Sequence, residues 1–232
     1  MKLRGSPLWR YFAPRVEEVS FRAASPWRAR PLTAFILIGG LAIFGMGEAL
    51  MVRSNAGAAP WTVFATGLAH ATRLSLGWAT FVVSCGVFSG WWPLRQRPGF
   101  GTIANLTVIP IFLEFGYRAI PSAHSGWMQI IMLLGGLTAI GSGGALYLSC
   151  AMGTGPRDGL MVGMGRRFNL PIARLRTAIE LCALVVGTAM GGAFGVGTIV
   201  FAVTIGPILS VALRLVGRWW SVPATRSASP TS

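Results

Sequence analysis

The sequence predicts an all-α integral membrane protein. It has about six transmembrane helices in two inverted three-helix repeats, each with a short broken or re-entrant helix. Of its 232 residues, 53% are hydrophobic and only 11% are charged, whereas a soluble domain carries about 25% charged residues. Several uninterrupted apolar runs reach the roughly 20 residues that a spanning helix needs, and most lack the polar face of a soluble helix. One pattern also recurs in both halves of the chain.

The apolar runs give the elements in chain order. Two short runs, 61–72 and 159–168, reach no more than ~20 Å as helices, against a hydrocarbon core of ~30 Å. Each follows a break that contains glycine and proline, at 55–60 and 153–158, and a helix does not easily continue through such a break. The full spans are predicted at 31–52, 76–94, 101–117, 127–150, 171–190 and 197–215.

The two halves align without a gap when residues 96 positions apart are compared, with fifteen identities among the 73 positions from 41 to 113. G-F-G-T-I from Gly99 matches G-V-G-T-I from Gly195, and N-A-G-A-A-P ending at Pro60 matches A-M-G-T-G-P ending at Pro156. An odd number of spans in each repeat turns the second half over in the membrane. Close helix approach is predicted at the matching small residues Gly45, Gly47, Gly141 and Gly143.

The placement of arginines agrees with inversion. Arg95 and Arg97 follow the second span of the first half, where the second half is neutral, and five arginines follow the first span of the second half. With a cytoplasmic N-terminus, six spans put about 17 basic residues inside and about three outside. An eight-span topology, in which both short helices cross, gives about 16 and about four. It remains an alternative.

Basic residues at the ends of the apolar runs explain the formal net charge of +14. Their positions indicate that the positive charge sets the membrane topology and contacts anionic lipid at the cytoplasmic face, and that it does not bind nucleic acid. In the N-terminal arm, Leu8, Phe12, Val16 and Val19 recur at helical spacing, so the arm is an interfacial amphipathic helix or a disordered basic segment. The predicted domains are the basic cytoplasmic arm at 1–31, membrane repeat 1 at 32–118, a connecting loop at 119–126, membrane repeat 2 at 127–216 and a polar C-terminal tail at 217–232.

Nothing in the sequence predicts an enzyme, a metal site or a cofactor. Cys85, Cys150 and Cys182 have no C-x-x-C spacing, and the chain has only two histidines. Walker, G-x-S-x-G and H-E-x-x-H motifs are absent from the sequence. The oligomeric state is not predicted.

Four motifs together are similar to those of a known family. They read G-M-G-E-A-L-M-V-R-S-N-A-G-A-A-P-W-T-V, L-R-Q-R-P-G-F-G-T-I-A-N, G-T-G-P-R-D-G-L and G-V-G-T-I. In combination they resemble the YczE/YyaS/YitT family of bacterial integral membrane proteins, over about Gly45 to Val211. The resemblance implies a multi-pass protein of the bacterial inner membrane. It brings no substrate and no catalytic residue, so no site can be carried over from it.

The two breaks are the candidate binding site. Interrupted helices at equivalent positions meet near the midplane of inverted-repeat transporters, and helix N-termini at Pro60 and Pro156 suit an anion. Arg157 and Asp158 stand where the first half is uncharged, and they would select a charged or zwitterionic ligand. The alternative is a pair of tight turns with an interfacial Arg-Asp pair. The candidate residues are Asn55, Gly57, Pro60, Trp61, Gly153, Gly155, Pro156, Arg157 and Asp158.

Three carboxylates lie in or beside the apolar runs, where an unpaired charge is costly. Each has an arginine four or five residues away. Ion pairing is therefore predicted in preference to proton relay. The predicted pairs are Glu48 with Arg53, Glu114 with Arg118, and Glu180 with Arg176.

The leading functional hypothesis is a transporter or permease for a small anionic or zwitterionic solute. It depends on the two equivalent breaks. A non-transporting membrane scaffold, or a regulatory partner of an enzyme complex, is the alternative. A membrane-embedded enzyme that acts on lipid is a weaker third hypothesis, because no nucleophile–base pair is evident.

Overall fold

The computed structural model describes residues 19–220. In this range every regular element is a helix, and an isolated β-bridge joins Ser25 and Arg28. The helices are α1 (Pro31–Arg53), α2 (Pro60–Thr72), α3 (Leu76–Ser89), α4 (Trp91–Leu94), α5 (Phe100–Ala119), α6 (Gly126–Ser149), α7 (Pro156–Phe168), α8 (Ile172–Ala189) and α9 (Val196–Trp220).

Four of these helices, α1, α5, α6 and α9, are long and apolar enough to cross a membrane. The segment 60–94 is a fifth candidate, although α2 lies at 115° to the segment that follows it. Two of the six predicted spans differ from expectation. The span predicted at 76–94 is divided at Gly90 into α3 and α4. The span predicted at 171–190 is helical as α8, but this helix, with Arg174, Arg176 and Glu180, is not among the four that are long and apolar enough to cross.

Short-range sequence explains the break between α1 and α2. Asn55 and Gly57 take positive φ values of 56° and 123°, which end a right-handed helix. The Ser54 hydroxyl donates a hydrogen bond to the Met51 carbonyl and accepts one from the Ala56 N–H. Pro60 then starts α2 at the first helical position, where its missing N–H costs nothing.

The break between α6 and α7 has the same backbone conformation. Ala151 and Gly153 have φ values of 55° and 117°, and Pro156 starts α7. Three helices of the second half begin 96 residues after helices of the first, at 156, 172 and 196 against 60, 76 and 100. The described residues with positive φ also form pairs 96 apart, namely Asn55 and Ala151, Gly57 and Gly153, Arg73 and Asn169, and Arg95 and Gly191. Residues 96 positions apart are called equivalent below.

The core forms where α1 crosses α6, and glycines set their separation. A methyl group on Gly47 would lie 2.8 Å from the Gly136 carbonyl oxygen, and one on Gly143 would overlap the Gly40 carbonyl oxygen. Gly45 lies in the same way against α5, and Gly141 against α9. The close approach predicted at these glycines is present in the structure.

Replacing Gly143 by alanine is expected to destabilise this crossing by about 1–3 kcal/mol, because the added methyl group meets backbone that cannot rotate away. Gly39→Ala is the matched control on α1, since a methyl group there meets nothing within 4 Å. The control gains helix propensity of at most ~1 kcal/mol. Thermal unfolding in detergent should show a midpoint roughly 2–10 °C lower for Gly143→Ala, and unchanged or higher for Gly39→Ala. Equal midpoints for the two variants would contradict this packing.

Both ends of the described range lie against the same part of the core. Val19 and Phe21 are buried, and the Phe21 ring packs edge-on against Trp220 at 5.0 Å between centroids. Helix α9 therefore continues through residues 217–220, the first part of the predicted tail. Residues 221–232 and most of the predicted amphipathic stretch, residues 8–18, lie outside the described residues.

Candidate functional site

Each break is held by the other half of the chain. The Gly197 N–H donates to the Ala56 carbonyl over 2.7 Å, and the Gly101 N–H donates to the Met152 carbonyl over 2.8 Å. The two donors are equivalent residues, and so are the two acceptors. One bond runs from the second half to the first, and the other from the first half to the second. Gly57 packs against the start of α9, as Gly153 packs against the start of α5. Each break thus packs against the G-x-G-T motif of the other half, at a distance that leaves no room for a Cβ atom on its glycine.

The short helices are likewise positioned by contacts with the other half of the chain. Helix α2 packs against α8 of the second half, and α7 packs against α3 and α4 of the first. The Trp91 indole N–H donates to the Pro156 carbonyl over 2.8 Å, which fixes the first turn of α7. This brings the two helix N-termini together, with the Arg157 guanidinium 5.8 Å from the centroid of the Trp61 ring. Trp61 and Arg157 are equivalent residues.

A cavity of about 410 Å³ lies beside this contact. Four of the predicted site residues line it: Pro60, Trp61, Arg157 and Asp158. Its other polar lining comes from Glu48, Tyr147, Thr154, Arg176 and Glu180, and its apolar lining from Phe44, Ile140, Gly144, Leu148, Met161, Val162, Ile172, Phe201, Ile205 and Leu209.

The remaining predicted residues build the breaks and do not line this cavity. The Asn55 side chain donates to the Ala123 carbonyl over 3.2 Å, away from the site. Gly57 and Gly153 provide the positive φ values described above, and Gly155 lies against the Asn105 side chain. Pro156 lines a second, smaller cavity on the other side of Arg157.

That second cavity has a volume of about 30 Å³, and many of its lining residues are equivalent to lining residues of the first cavity. Both are lined by Glu48, Trp61 and Arg157. The other lining residues of the small cavity include Thr62, Thr80, Ser84, Asn105 and Ile109. Their equivalents, Asp158, Arg176, Glu180, Phe201 and Ile205, all line the large cavity.

Helix packing explains why the two cavities differ in size. Helix α3 packs along α5, and a methyl group on Gly77 would lie 2.7 Å from the Glu114 Cβ atom. The equivalent helices, α8 and α9, hardly touch each other. Ala173, the equivalent of Gly77, is exposed. The two helices beside the small cavity, α3 and α5, are therefore packed together, whereas α8 and α9 beside the large cavity stand apart.

Glu48 does not pair with Arg53 as predicted. The Arg53 Nε atom donates to the Ile120 carbonyl, and its guanidinium lies 4.9 Å from the centroid of the Tyr117 ring. Residues five apart on a helix point about 140° away from each other, so Glu48 faces the cavity instead. The two predicted pairs at a spacing of four are confirmed, with Arg118–Glu114 at a helix end and Arg176–Glu180 at 3.0 Å on the cavity wall.

The cavity contains charges and donors without partners in the described structure. Glu48 is 4% exposed and has no cation within 4 Å among residues 19–220. Arg157 forms no ion pair with any residue in this range, including its neighbour Asp158. Asp158 accepts a long hydrogen bond of 3.4 Å from Tyr147. The Trp61 indole N–H and the Thr62 hydroxyl are buried without a hydrogen-bond partner in the described chain.

Comparison with known proteins gives the family. Residues 32–214 match a family of unknown function, DUF6198. A Haemophilus influenzae (strain ATCC 51907 / DSM 11121 / KW20 / Rd) relative, named only as an uncharacterized protein, is 38% identical over 208 residues, which cover 90% of this chain and 95% of the relative. The uncharacterized membrane protein YczE of Bacillus subtilis (strain 168) is 30% identical over 177 residues, 75% of this chain and 82% of YczE. The chain belongs to this YczE-like family. No solved structure matches it significantly.

The YczE-like family is one of membrane proteins, in agreement with the long apolar helices of this chain. Its names supply no ligand, so the site has to be argued from the geometry. Sequence reasoning missed five lining residues that matter here: Glu48, Tyr147, Arg176, Glu180 and Asn105. Glu48 had a usable signal, because it is an acid inside an apolar run with no arginine four residues away. Among residues 19–220, no group of His, Cys, Asp and Glu is arranged to hold a metal ion.

Proposed function

We propose that this protein is a multi-pass transporter of the bacterial inner membrane that carries a small zwitterionic solute through the shared cavity. Six spans would form two inverted repeats, α1 with α3 and α5, and α6 with α8 and α9. The short helices α2 and α7 would be re-entrant.

Two observations support the repeat arrangement. The positive-φ residues and the helix starts recur 96 positions apart, and the hydrogen bonds of Gly101 and Gly197 are those that an approximate two-fold axis between the halves would produce. With α8 counted as a span, each half has an odd number of spans, so the second is inverted. The charges on α8 do not argue against this, because Arg176 and Glu180 neutralise each other on the cavity wall.

The observation that carries the proposal is the pair formed by Glu48 and Arg157. Both side chains face one cavity, they have opposite charge, and neither has an ion-pair partner in the described structure. Glu48 is buried and Arg157 is half-buried, and a buried charge without a partner is strongly destabilising. A solute with a cationic and an anionic group, placed between them, would satisfy both at once. The Trp61 N–H would supply one more donor to the anionic group.

The charge balance favours a zwitterion over a simple anion. After the Arg176–Glu180 pair is set aside, Arg157 is the one cation of the lining, against Glu48 and Asp158. The helix N-termini at Pro60 and Pro156 add only partial positive charge. A solute without a cationic group would meet more negative than positive charge in the cavity.

The proposed orientation puts the N-terminus in the cytoplasm. The exposed arginines at the end of α7 and the start of α8, Arg166, Arg167 and Arg174, would then lie at the cytoplasmic surface. There they would contact anionic lipid, in agreement with the positive-inside rule.

Uptake into proteoliposomes tests the proposal, with a panel of radiolabelled zwitterions such as amino acids and betaines, and with dicarboxylates for comparison. We expect uptake of at least one zwitterion. Trp61→Phe keeps an aromatic ring beside Arg157 but removes the unpartnered N–H, and it should lower uptake about tenfold, the effect of one lost hydrogen bond to a charged group. Trp92→Phe is the matched control, because Trp92 is 91% exposed.

Two results would overturn the proposal. One is wild-type protein that moves no solute and copurifies with a stoichiometric enzyme partner, which is the scaffold hypothesis. The other is uptake that responds equally to Trp61→Phe and Trp92→Phe.

A further inference from the structure

The large cavity opens sideways between two helices. Helices α8 and α9 both line it and yet hardly touch each other. Only 6% of the apolar stretch of α9 is buried, against 50% for its equivalent α5. In the proposed membrane arrangement, most of α9 would therefore face lipid, and the gap beside it would lead from the bilayer to the cavity.

The two walls of this opening are chemically different. Phe201, Ile205 and Leu209 are four residues apart and form one continuous apolar strip of α9 along the cavity. In the small cavity, the position equivalent to Phe201 is the polar Asn105. The apolar strip is therefore continuous along the large cavity, and its equivalent in the small cavity is interrupted at Asn105.

The inner end of the same cavity carries the charges. Glu48, Arg157 and Asp158 lie there with Trp61 and Tyr147, whereas Arg176 and Glu180 neutralise each other along the α8 wall. A volume of about 410 Å³ lies within the range of pockets that hold drug-sized ligands. The cavity is thus amphipathic, with a zwitterion site inside and an apolar strip that runs to the membrane.

We infer that the solute is a single-chain amphiphile, with a zwitterionic headgroup between Glu48 and Arg157 and its hydrocarbon chain along α9. It reaches the site from the bilayer, through the gap between α8 and α9. This inference rests on the proposed transport function and narrows its substrate class to lipid-like zwitterions.

Binding to the full-length protein in nanodiscs tests the inference, with empty nanodiscs subtracted. The two probes share a headgroup: lysophosphatidylethanolamine, which has a chain, and glycerophosphoethanolamine, which has none. Each buried methylene strengthens binding about fourfold, so four of them predict a preference of about 250-fold for the lysolipid. A diazirine on its chain should label α8 or α9.

Phe201→Asn places in the apolar strip the residue found at the equivalent position, Asn105. It should weaken binding of the lysolipid about tenfold without changing the binding of glycerophosphoethanolamine. Val203→Asn is the control on the same helix, since Val203 is 70% exposed, and it should leave both unchanged.

The outcomes separate this inference from the proposed function. Equal affinity for the two probes, or chain labelling away from α8 and α9, overturns the inference. Uptake of soluble zwitterions by a protein that binds no lysolipid also overturns it, while transport stands. Lysolipid bound at α8 and α9 with no flux of any zwitterion supports the lipid site and overturns transport.

Discussion

Replacing either Glu48 or Arg157 by glutamine is expected to reduce zwitterion uptake about 100-fold. Each change removes one of the two charges that would hold the solute and leaves the other without its counter-charge in the cavity. Truncating one member of a desolvated charge pair costs about 2–5 kcal/mol, and 1.4 kcal/mol corresponds to a factor of ten. The initial rate of uptake in proteoliposomes measures the effect.

Two features keep this result from being a folding artefact. Glutamine is nearly isosteric with glutamate, and Glu48→Gln removes a buried charge that has no partner in the described chain. Its thermal stability should therefore be equal or higher while uptake falls. Arg118→Gln is the control for losing an arginine, because the Arg118 side chain is 72% exposed, and its uptake should stay within about twofold. A well-folded Glu48→Gln protein with normal uptake would remove the basis of the solute site.

A disulfide between cysteines at positions 173 and 210 is expected to stop uptake completely. Gly77 of α3 lies against Glu114 of α5, and the same two helices line the small cavity. The equivalents, Ala173 and Ser210, lie on helices that hardly touch. If the two cavities open in alternation, α8 must approach α9 as α3 approaches α5 here. Ala173→Cys and Ser210→Cys would then come within the 7 Å between Cα atoms that a disulfide requires.

The cross-linking experiment needs a background in which Cys85, Cys150 and Cys182 are replaced, because these three are free thiols. Oxidation should yield an intramolecular bond and block uptake, and a reductant should restore it. The two single-cysteine variants should be insensitive to oxidation. Normal uptake under oxidising conditions, without any bond formed, would contradict alternate opening.

The elements that the sequence predicted well are those set by neighbouring residues. The Gly-Pro breaks, the short helices after them and the close approach at the glycines depend on backbone preferences within a few positions. The ion pairs four residues apart were predicted for the same reason, since such residues share one face of a helix. Helix ends differ from prediction by a few residues, and the last turn of α9, which extends to Trp220, packs against Phe21.

The elements that the sequence could not predict depend on contacts between distant segments. Glu48 was assigned to Arg53, its neighbour in sequence, whereas it faces Arg157 across the cavity. Glu48 and Arg157 line one cavity because each break packs against the other half of the chain. A gapless alignment of the two halves does not reveal this packing. The gap between α8 and α9 is likewise an asymmetry of packing, and no residue at its edge indicates it.

A density map of the protein in nanodiscs, at a saturating concentration of the best transported zwitterion, tests most directly the claim that both breaks form one solute site. Density is expected between Glu48 and Arg157, with the anionic group of the solute within hydrogen-bonding distance of the Trp61 Nε1 atom. A map in which the solute occupies another pocket, while the space between Glu48 and Arg157 holds none, would contradict the claim.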